Sequence, residues 1–443
     1  MSVRTVAQRI AARVPFGIGT VTLIAIGALV TSVGMVLAIG TTATVSDNPV
    51  DGELRDYSTA PAIAWTVSQM QLPGYTANTG IAVADNHRNR WLLSYPSGIG
   101  RAFVLVDRTD GRRIWPEPVR VGLGSCAFTA SGQVGCAINL GSAPDGFYRI
   151  DDTGRLGLRA PLEDTAQVIG VGDDFLRIDQ SGHHVSMYTP DGHPAWQRTF
   201  AAAATASIEH GVLEIDTADG NRFIVDAANG TNEITCAQCD ITRYATGITV
   251  AHNAYGKEAV TTYAVTDGVV RPRPTGNFAD RRIVGGPSTF PVLGATGNIQ
   301  IENTRDSFQV LHPAWGTQRW AITDPQLSKA NPRPCGSMVA FAHRDRSRVI
   351  YRLSDGHRLG SLPRPSIDDP DTNIDRLLCV GSSGNLIVFA DPNQLTAFDP
   401  VEHRVAWRRA IFGQTSVVDG YLVLTEGTSL TVLRPAQAES PGR

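Results

Sequence analysis

Six cysteines and one run of acidic side chains are the residues of this chain best suited to chemistry. The cysteines fall in three neighbouring pairs, Cys126/Cys136, Cys236/Cys239 and Cys335/Cys379. An even count in an oxidising compartment predicts structural disulfides. Cys126 and Cys136 flank the turn Ala130-Ser-Gly-Gln133 and can face each other across a hairpin. Cys236 and Cys239 can bridge a tight turn, and Cys335 and Cys379 would then join neighbouring units of the repeat described below. The sequence does not fix the connectivity. A redox pair or half a zinc site is the competing use of Cys236-Ala-Gln-Cys239. The first wants a helix N-terminus and the second needs further ligands. The acidic run is Asp369-Pro-Asp371-Thr-Asn373-Ile-Asp375, whose alternate oxygen ligands match the first half of a calcium loop. Its sixth place is Ile374 rather than Gly and its twelfth is Val380 rather than Glu, so a solvated loop is expected. His183 and His184 are adjacent on a predicted strand and point to opposite faces, which argues against a shared metal. The sequence contains no Gly-x-Ser-x-Gly elbow, Gly-rich phosphate loop or His-Glu-x-x-His motif. Gly122-Leu-Gly124 continues with strand periodicity and lacks the helix that a phosphate site uses.

The elements that position these residues are short strands. Leu105 to Trp115 reads as strand, Asp110-Gly111 turn, strand and tryptophan, with Asp-Gly supplying the positive φ angles of a tight hairpin. The same pattern returns at Ser186 to Trp196, at Gly316 to Trp320, and at Asp399 to Trp407 with His403 in the glycine place. Copies without the Trp lie at Phe223–Ile234, Thr262–Val269 and Ile350–Gly360. Hairpins recurring about every 35–47 residues predict a β-propeller, whose blades take about 40–50 residues.

Leu105 to Trp115 resembles the Ala-x-Asp-x-x-Thr-Gly-x-x-x-Trp repeat of the PQQ-like (quinoprotein-type) propellers, with Asp110 in place of Thr. The resemblance covers roughly residues 60–436 and is degenerate. It implies that Trp115, Trp196, Trp320 and Trp407 each dock one blade on the next, with Trp65 joining them. Catalytic quinoproteins of this type use an adjacent cysteine pair, a calcium site and a central carboxylate. The chain has no adjacent cysteines, so no cofactor is expected. It looks most like the non-catalytic branch, similar to the propeller subunit of outer-membrane barrel-assembly machinery. Fold alone does not fix function.

Counting third strands gives nine. The commonest family size is eight, and the expectation is therefore an all-β, eight-bladed propeller, within a range of seven to nine. The extra strand is assigned to an embellished blade near 280–322. Ala62 to Val67 reads as an outer strand without its partners. Thr415–Asp419, Tyr421–Thr425 and Leu430–Leu433 read as three strands without a fourth. Pairing of these two ends is predicted to close the ring.

Before the repeats, Arg4, Arg9 and Arg13 form a basic tail over residues 1–13. Residues 14–40 carry no charge, and Val21–Ile39 is long enough for one membrane span. The basic side is expected to stay in the cytoplasm. A cleaved signal peptide is the competitor, with a shorter apolar region. Residues 41–60 then form a linker, 61–436 the propeller and 437–443 a tail. The 443 residues carry 42% hydrophobic and 18% charged side chains, so a folded core is expected. A net charge of −3 gives no electrostatic footprint for nucleic acid. Lys257 and Lys329 are the only lysines, and the Arg, Ala and Gly bias points to an actinobacterial-type envelope. The functional expectation is a single-pass, extracytoplasmic scaffold that binds cell-envelope or membrane proteins. A quinoprotein-like oxidoreductase or a small-ligand sensor using the central channel is the alternative. Partner contact is expected at the loops Gly285–Gly297 and Pro363–Asp375, which interrupt the repeat.

Overall fold

A computed structural model describes residues 51–436, except 77–79, 161–164, 190–191, 255–256, 297–306, 325, 328–331, 363 and 365–372. The expected span at 14–40 lies outside the described residues. Among the described residues no helix is long and apolar enough to cross a membrane.

The described residues form nine antiparallel sheets, so the ring has nine blades rather than the expected eight. Blade 1 comprises Ala82–His87, Arg90–Ser97, Gly100–Asp107 and Val119–Gly122. Blade 2 comprises Cys126–Phe128, Val134–Ile138, Gly146–Ile150 and Leu156–Arg159. Blade 3 holds Thr165–Val171, Asp174–Asp179, His184–Tyr188 and Pro194–Thr199, and blade 4 holds Ala204–Glu209, Val212–Thr217, Asn221–Val225 and Asn232–Ala237. Blade 5 holds Cys239–Tyr244, Gly247–Ala254 and Lys257–Thr266; its outer edge is split between Val269–Val270 and Gly276–Ala279. Blade 6 is Arg281–Ile283, Val292–Ala295, Ser307–His312 and Thr317–Thr323. Blade 7 is Arg333–Cys335, Met338–Ala342, Arg348–Arg352 and Arg358–Leu362, and blade 8 is Leu378–Ser383, Leu386–Ala390, Gln394–Asp399 and Arg404–Ala410. Blade 9 joins Gln414–Val418, Tyr421–Glu426 and Ser429–Arg434 to the N-terminal strand Ala62–Ser68.

The miscount has a local cause. Residues 280–322 carry short strands with weak alternation, and the split edge of blade 5 adjoins them. Yet Arg281–Ile283 and Val292–Ala295 pair in register, Arg281 opposite Ala295, and complete a blade of their own.

Burial follows position in the blade. Second strands such as Arg90–Ser97 are buried nearly throughout because both sheet faces pack on neighbouring blades. Fourth strands such as Pro194–Thr199 bury only the tryptophan. The ring closes where Trp65 pairs with Val432 and Ser68 with Ser429. Tyr57 fills the place of the hairpin that this composite blade lacks. It is fully buried, its hydroxyl accepts from Leu422 N–H at 2.9 Å, and it donates to Leu433 O at 3.0 Å.

Each docking tryptophan lies on the blade after its own. The indole of Trp65 packs against Gly111 of blade 1 and donates to Arg108 O at 2.6 Å. Trp196 repeats this on Gly230 and Ala227 O (2.8 Å), and Trp320 on Gly356 and Leu353 O (2.8 Å). Trp115 packs against Gly154. Trp407 donates to Tyr57 O at 2.8 Å. The glycine is needed twice over. A Cβ at Gly111 would lie 2.6 Å from the Trp65 ring, and its φ of +71° disfavours any other L-residue.

All six cysteines are paired: Cys126–Cys136, Cys236–Cys239 and Cys335–Cys379. The first joins register partners within blade 2. The second links the last strand of blade 4 to the first of blade 5, and the third links blade 7 to blade 8.

Candidate functional site

Antiparallel blades put their first-to-second and third-to-fourth turns on one face of the ring, here the turn face. The second-to-third turns and the blade-to-blade links fall on the other, the link face. The two faces are built differently.

On the turn face the residues leading into blade 9 cross the ring. Asp51 touches blade 4, where His210 Nε2 lies 3.1 Å from its Oδ2. Gly52 passes against Pro287 of the blade 6 loop and Gly336 of blade 7 with a φ of +72°. A Cβ there would sit 2.8 Å from the Gly336 nitrogen, so only glycine fits. Ser382 N–H of blade 8 donates to Gly52 O at 2.7 Å, and Leu54 N–H donates to Ser382 O at 2.7 Å. Arg55 reaches Asp419 of blade 9 at 2.8 Å, and Arg108 of blade 1 holds the same carboxylate. Both guanidinium groups lie over the Tyr421 ring. Blades 4 and 9 are nearly opposite in a nine-membered ring, so this strap spans the mouth of the central channel.

The strap ends in a charged node. Asp51, Glu209 and His210 place one ligand atom each within 4.8 Å of one another. Arg243, on the first strand of blade 5, lies with its Nε 3.0 Å from Glu209 and 3.5 Å from Glu214. Arg222 faces Glu214 at 3.7 Å and Asp216 at 3.6 Å. Burial pushes the Glu209 carboxyl up, and the facing Asp51 carboxylate adds to the shift. Donating to the Asp51 carboxylate raises His210. Burial raises Glu214 to about 7. Sequence reasoning missed this node. His210 precedes Gly211 in a strand turn, which is unremarkable locally, and its partner Asp51 lies 159 positions away.

The acidic run does not assemble a calcium loop among the described residues. Asp369 and Asp371 lie outside them. Asn373 accepts from Asp375 N–H at 3.2 Å and caps the short 3-10 turn Ile374–Arg376. Asp375 ion-pairs with Arg348 of blade 7. The two remaining members are thus engaged in tying a blade link down. His183 and His184 likewise part company, toward Phe200 O at 2.9 Å and Asp179 at 3.1 Å.

The link face carries exposed apolar side chains over four consecutive blades. Leu378 begins blade 8, Phe412 lies between blades 8 and 9, and Met70 between blades 9 and 1. Ile99 is in the second-to-third turn of blade 1, Leu123 links blades 1 and 2, and Leu140 is in the corresponding turn of blade 2. These six are 58–89% exposed. The remaining exposed large hydrophobics among the described residues lie in no second-to-third turn and no blade link. Phe412 and Met70 flank one hairpin: Phe412 N–H donates to Glu426 at 3.3 Å, and Gln69 N–H to Thr428 O at 3.1 Å. Ile99 and Leu140 line a shared cleft of about 390 Å³ with Gly74, Arg120, Gly122 and Gly141. Leu140 has a φ of +58°, a strained backbone for leucine that holds an apolar side chain in solvent.

Of the loops expected to carry the partner surface, Gly285–Gly297 is occupied internally over its described part. Gly336 N–H donates to Pro287 O at 2.8 Å, and Thr289 N–H donates to Gly336 O at 3.0 Å. Most of Pro363–Asp375 lies outside the described residues.

No family model and no curated protein matches the chain. Similar solved structures include BamB from Moraxella catarrhalis, 13% identical, covering 87% of this chain and 100% of that one, with a TM-score of 0.39. The computationally designed Ika8 protein is 10% identical over 84% of this chain and 98% of its own, with a TM-score of 0.41. The Pan2 WD40 domain of Neurospora crassa is 13% identical over 87% of this chain and 97% of its own, with a TM-score of 0.39.

Proposed function

We propose that this chain is a non-catalytic scaffold propeller of the PQQ-like kind that binds a protein partner through its link face. The observation that carries this reading is the arc of apolar side chains from Leu378 to Leu140 across blades 8, 9, 1 and 2. Exposed apolar groups gathered on one side of a rigid ring are what a docking surface supplies. The apolar run within residues 14–40 supports a membrane anchor, and the paired cysteines support an oxidising, extracytoplasmic site of action. The partner class is therefore an envelope or membrane protein with an apolar docking face. A channel ligand meets the strap at the turn-face mouth, which favours the scaffold over the sensor.

Photo-crosslinking in intact cells tests this. A photoreactive residue at Ile99, Leu140 or Phe412 is expected to give one discrete adduct. The same residue at Leu158, on the outer edge of blade 2 and 95% exposed, is expected to give none. Equal labelling at Leu158 and at the arc would overturn the reading.

A further inference from the structure

We propose that Asp51, Glu209 and His210 form a binding site for a divalent transition-metal ion of the zinc class, which pins the N-terminal strap to blade 4. The donors are an imidazole nitrogen and two carboxylates, brought together from segments far apart in the chain. Their ligand atoms all lie within 4.8 Å of one another. Ligands at about 2.0–2.2 Å from zinc lie roughly 3.3 Å from each other in a tetrahedron, and His210 Nε2 is 3.1 Å from Asp51 Oδ2.

Carboxylates outnumber guanidinium groups around the trio. Four carboxylates, Asp51, Glu209, Glu214 and Asp216, share two guanidinium groups, Arg222 and Arg243. Asp51 and Glu209 face each other directly, and two ionised carboxylates in contact require a cation or a proton between them. The imidazole selects the class. Calcium takes six to eight oxygens, whereas nitrogen with carboxylate suits zinc and its neighbours. The fourth position is left for water.

The ion would act on the strap. Asp51 comes from the segment that crosses the channel mouth, while Glu209 and His210 belong to the ring. Coordination would therefore hold the mouth shut, on the face opposite the proposed partner surface and independently of it.

The test uses the tag-free full-length chain in detergent micelles, stripped with a chelator and then titrated with zinc chloride. Magnesium and calcium chlorides serve as comparators. One equivalent of zinc is expected, with no saturable binding of magnesium or calcium. Asp51→Asn and His210→Gln should each weaken zinc binding at least tenfold, since even outer-shell changes at metal sites cost 10–100-fold. Zinc should also slow amide exchange at Gly52 to Leu54 in the unaltered chain. No saturable zinc binding by the unaltered chain overturns the proposal without reference to any variant. Binding that both substitutions leave intact overturns the site, and binding that leaves exchange at Gly52 to Leu54 unchanged overturns the pinning.

Discussion

Blade 8 is fastened to its two neighbours by different chemistry. Toward blade 9, the buried Trp407 indole donates to the Tyr57 carbonyl. Toward blade 7, the link is Cys335–Cys379. The outer strand of blade 7, Arg358–Leu362, has no tryptophan. The joint between blades 4 and 5 is built the same way, with Cys236–Cys239 and an outer strand, Asn232–Ala237, that also lacks one. At these two joints, where the repeat has lost its aromatic, a covalent bond stands at the boundary. The indole joint depends on shape and a glycine cradle or its substitute. The cysteine joint depends on oxidation and leaves the outer strand free to vary.

Three measurements can break or sharpen that contrast. Trp407→Ala should have the largest effect, destabilising by about 3–5 kcal/mol, because it removes a buried ring and leaves the Tyr57 carbonyl unpaired. Chemical denaturation with and without reductant reads this, and the loss should be the same in both conditions. A loss below about 1 kcal/mol would mean the indole does not hold the joint. Next, the double change Cys335→Ala with Cys379→Ala should destabilise by about 2–4 kcal/mol, the range for closing a loop with sequence separation 44. Reductant should reproduce part of that effect in the unaltered chain and none of it at this joint in the double variant.

The smallest effect is pH-dependent. Glu214 of blade 4 faces Arg243 of blade 5, so this joint also carries charge. Burial raises Glu214 to about 7, above its ordinary 4.5. The folded chain therefore binds this proton more tightly than the unfolded chain between those values. Stability should fall as pH rises from about 4.5 to 7 and level off above, by on the order of 1–3 kcal/mol from this group. Glu214→Gln should flatten that slope in melts across pH 5–8. An unchanged slope would place the charge effect elsewhere.

What was legible in the sequence was what neighbours in the chain determine. The turn glycines and tryptophans repeat because each hairpin must bend tightly and each outer strand must present a ring, and both needs are met within about ten residues. Closure was legible for a similar reason, since an orphan strand and a strand triplet complement each other. Blade number was not. It turned on Arg281–Ile283 and on an outer edge shared by two short strands, where alternation is too brief to read. The docking of each tryptophan on the next blade was legible only through the family resemblance, because Trp65 and Gly111 meet only after the ring has closed. The charged node was illegible for the plainest reason. Asp51 acquires its meaning from His210, and nothing near either residue names the other.

The strap also determines how the molecule bears load. A pull on the chain upstream of Asp51 first meets contacts to blades 4, 6, 7, 8 and 9, spread over Asp51 to Tyr57. Only then does tension reach Ala62–Ser68, whose pairing with Ser429–Arg434 closes the ring. A tether attached at this end would thus load five of the nine blades before it opened the closing sector.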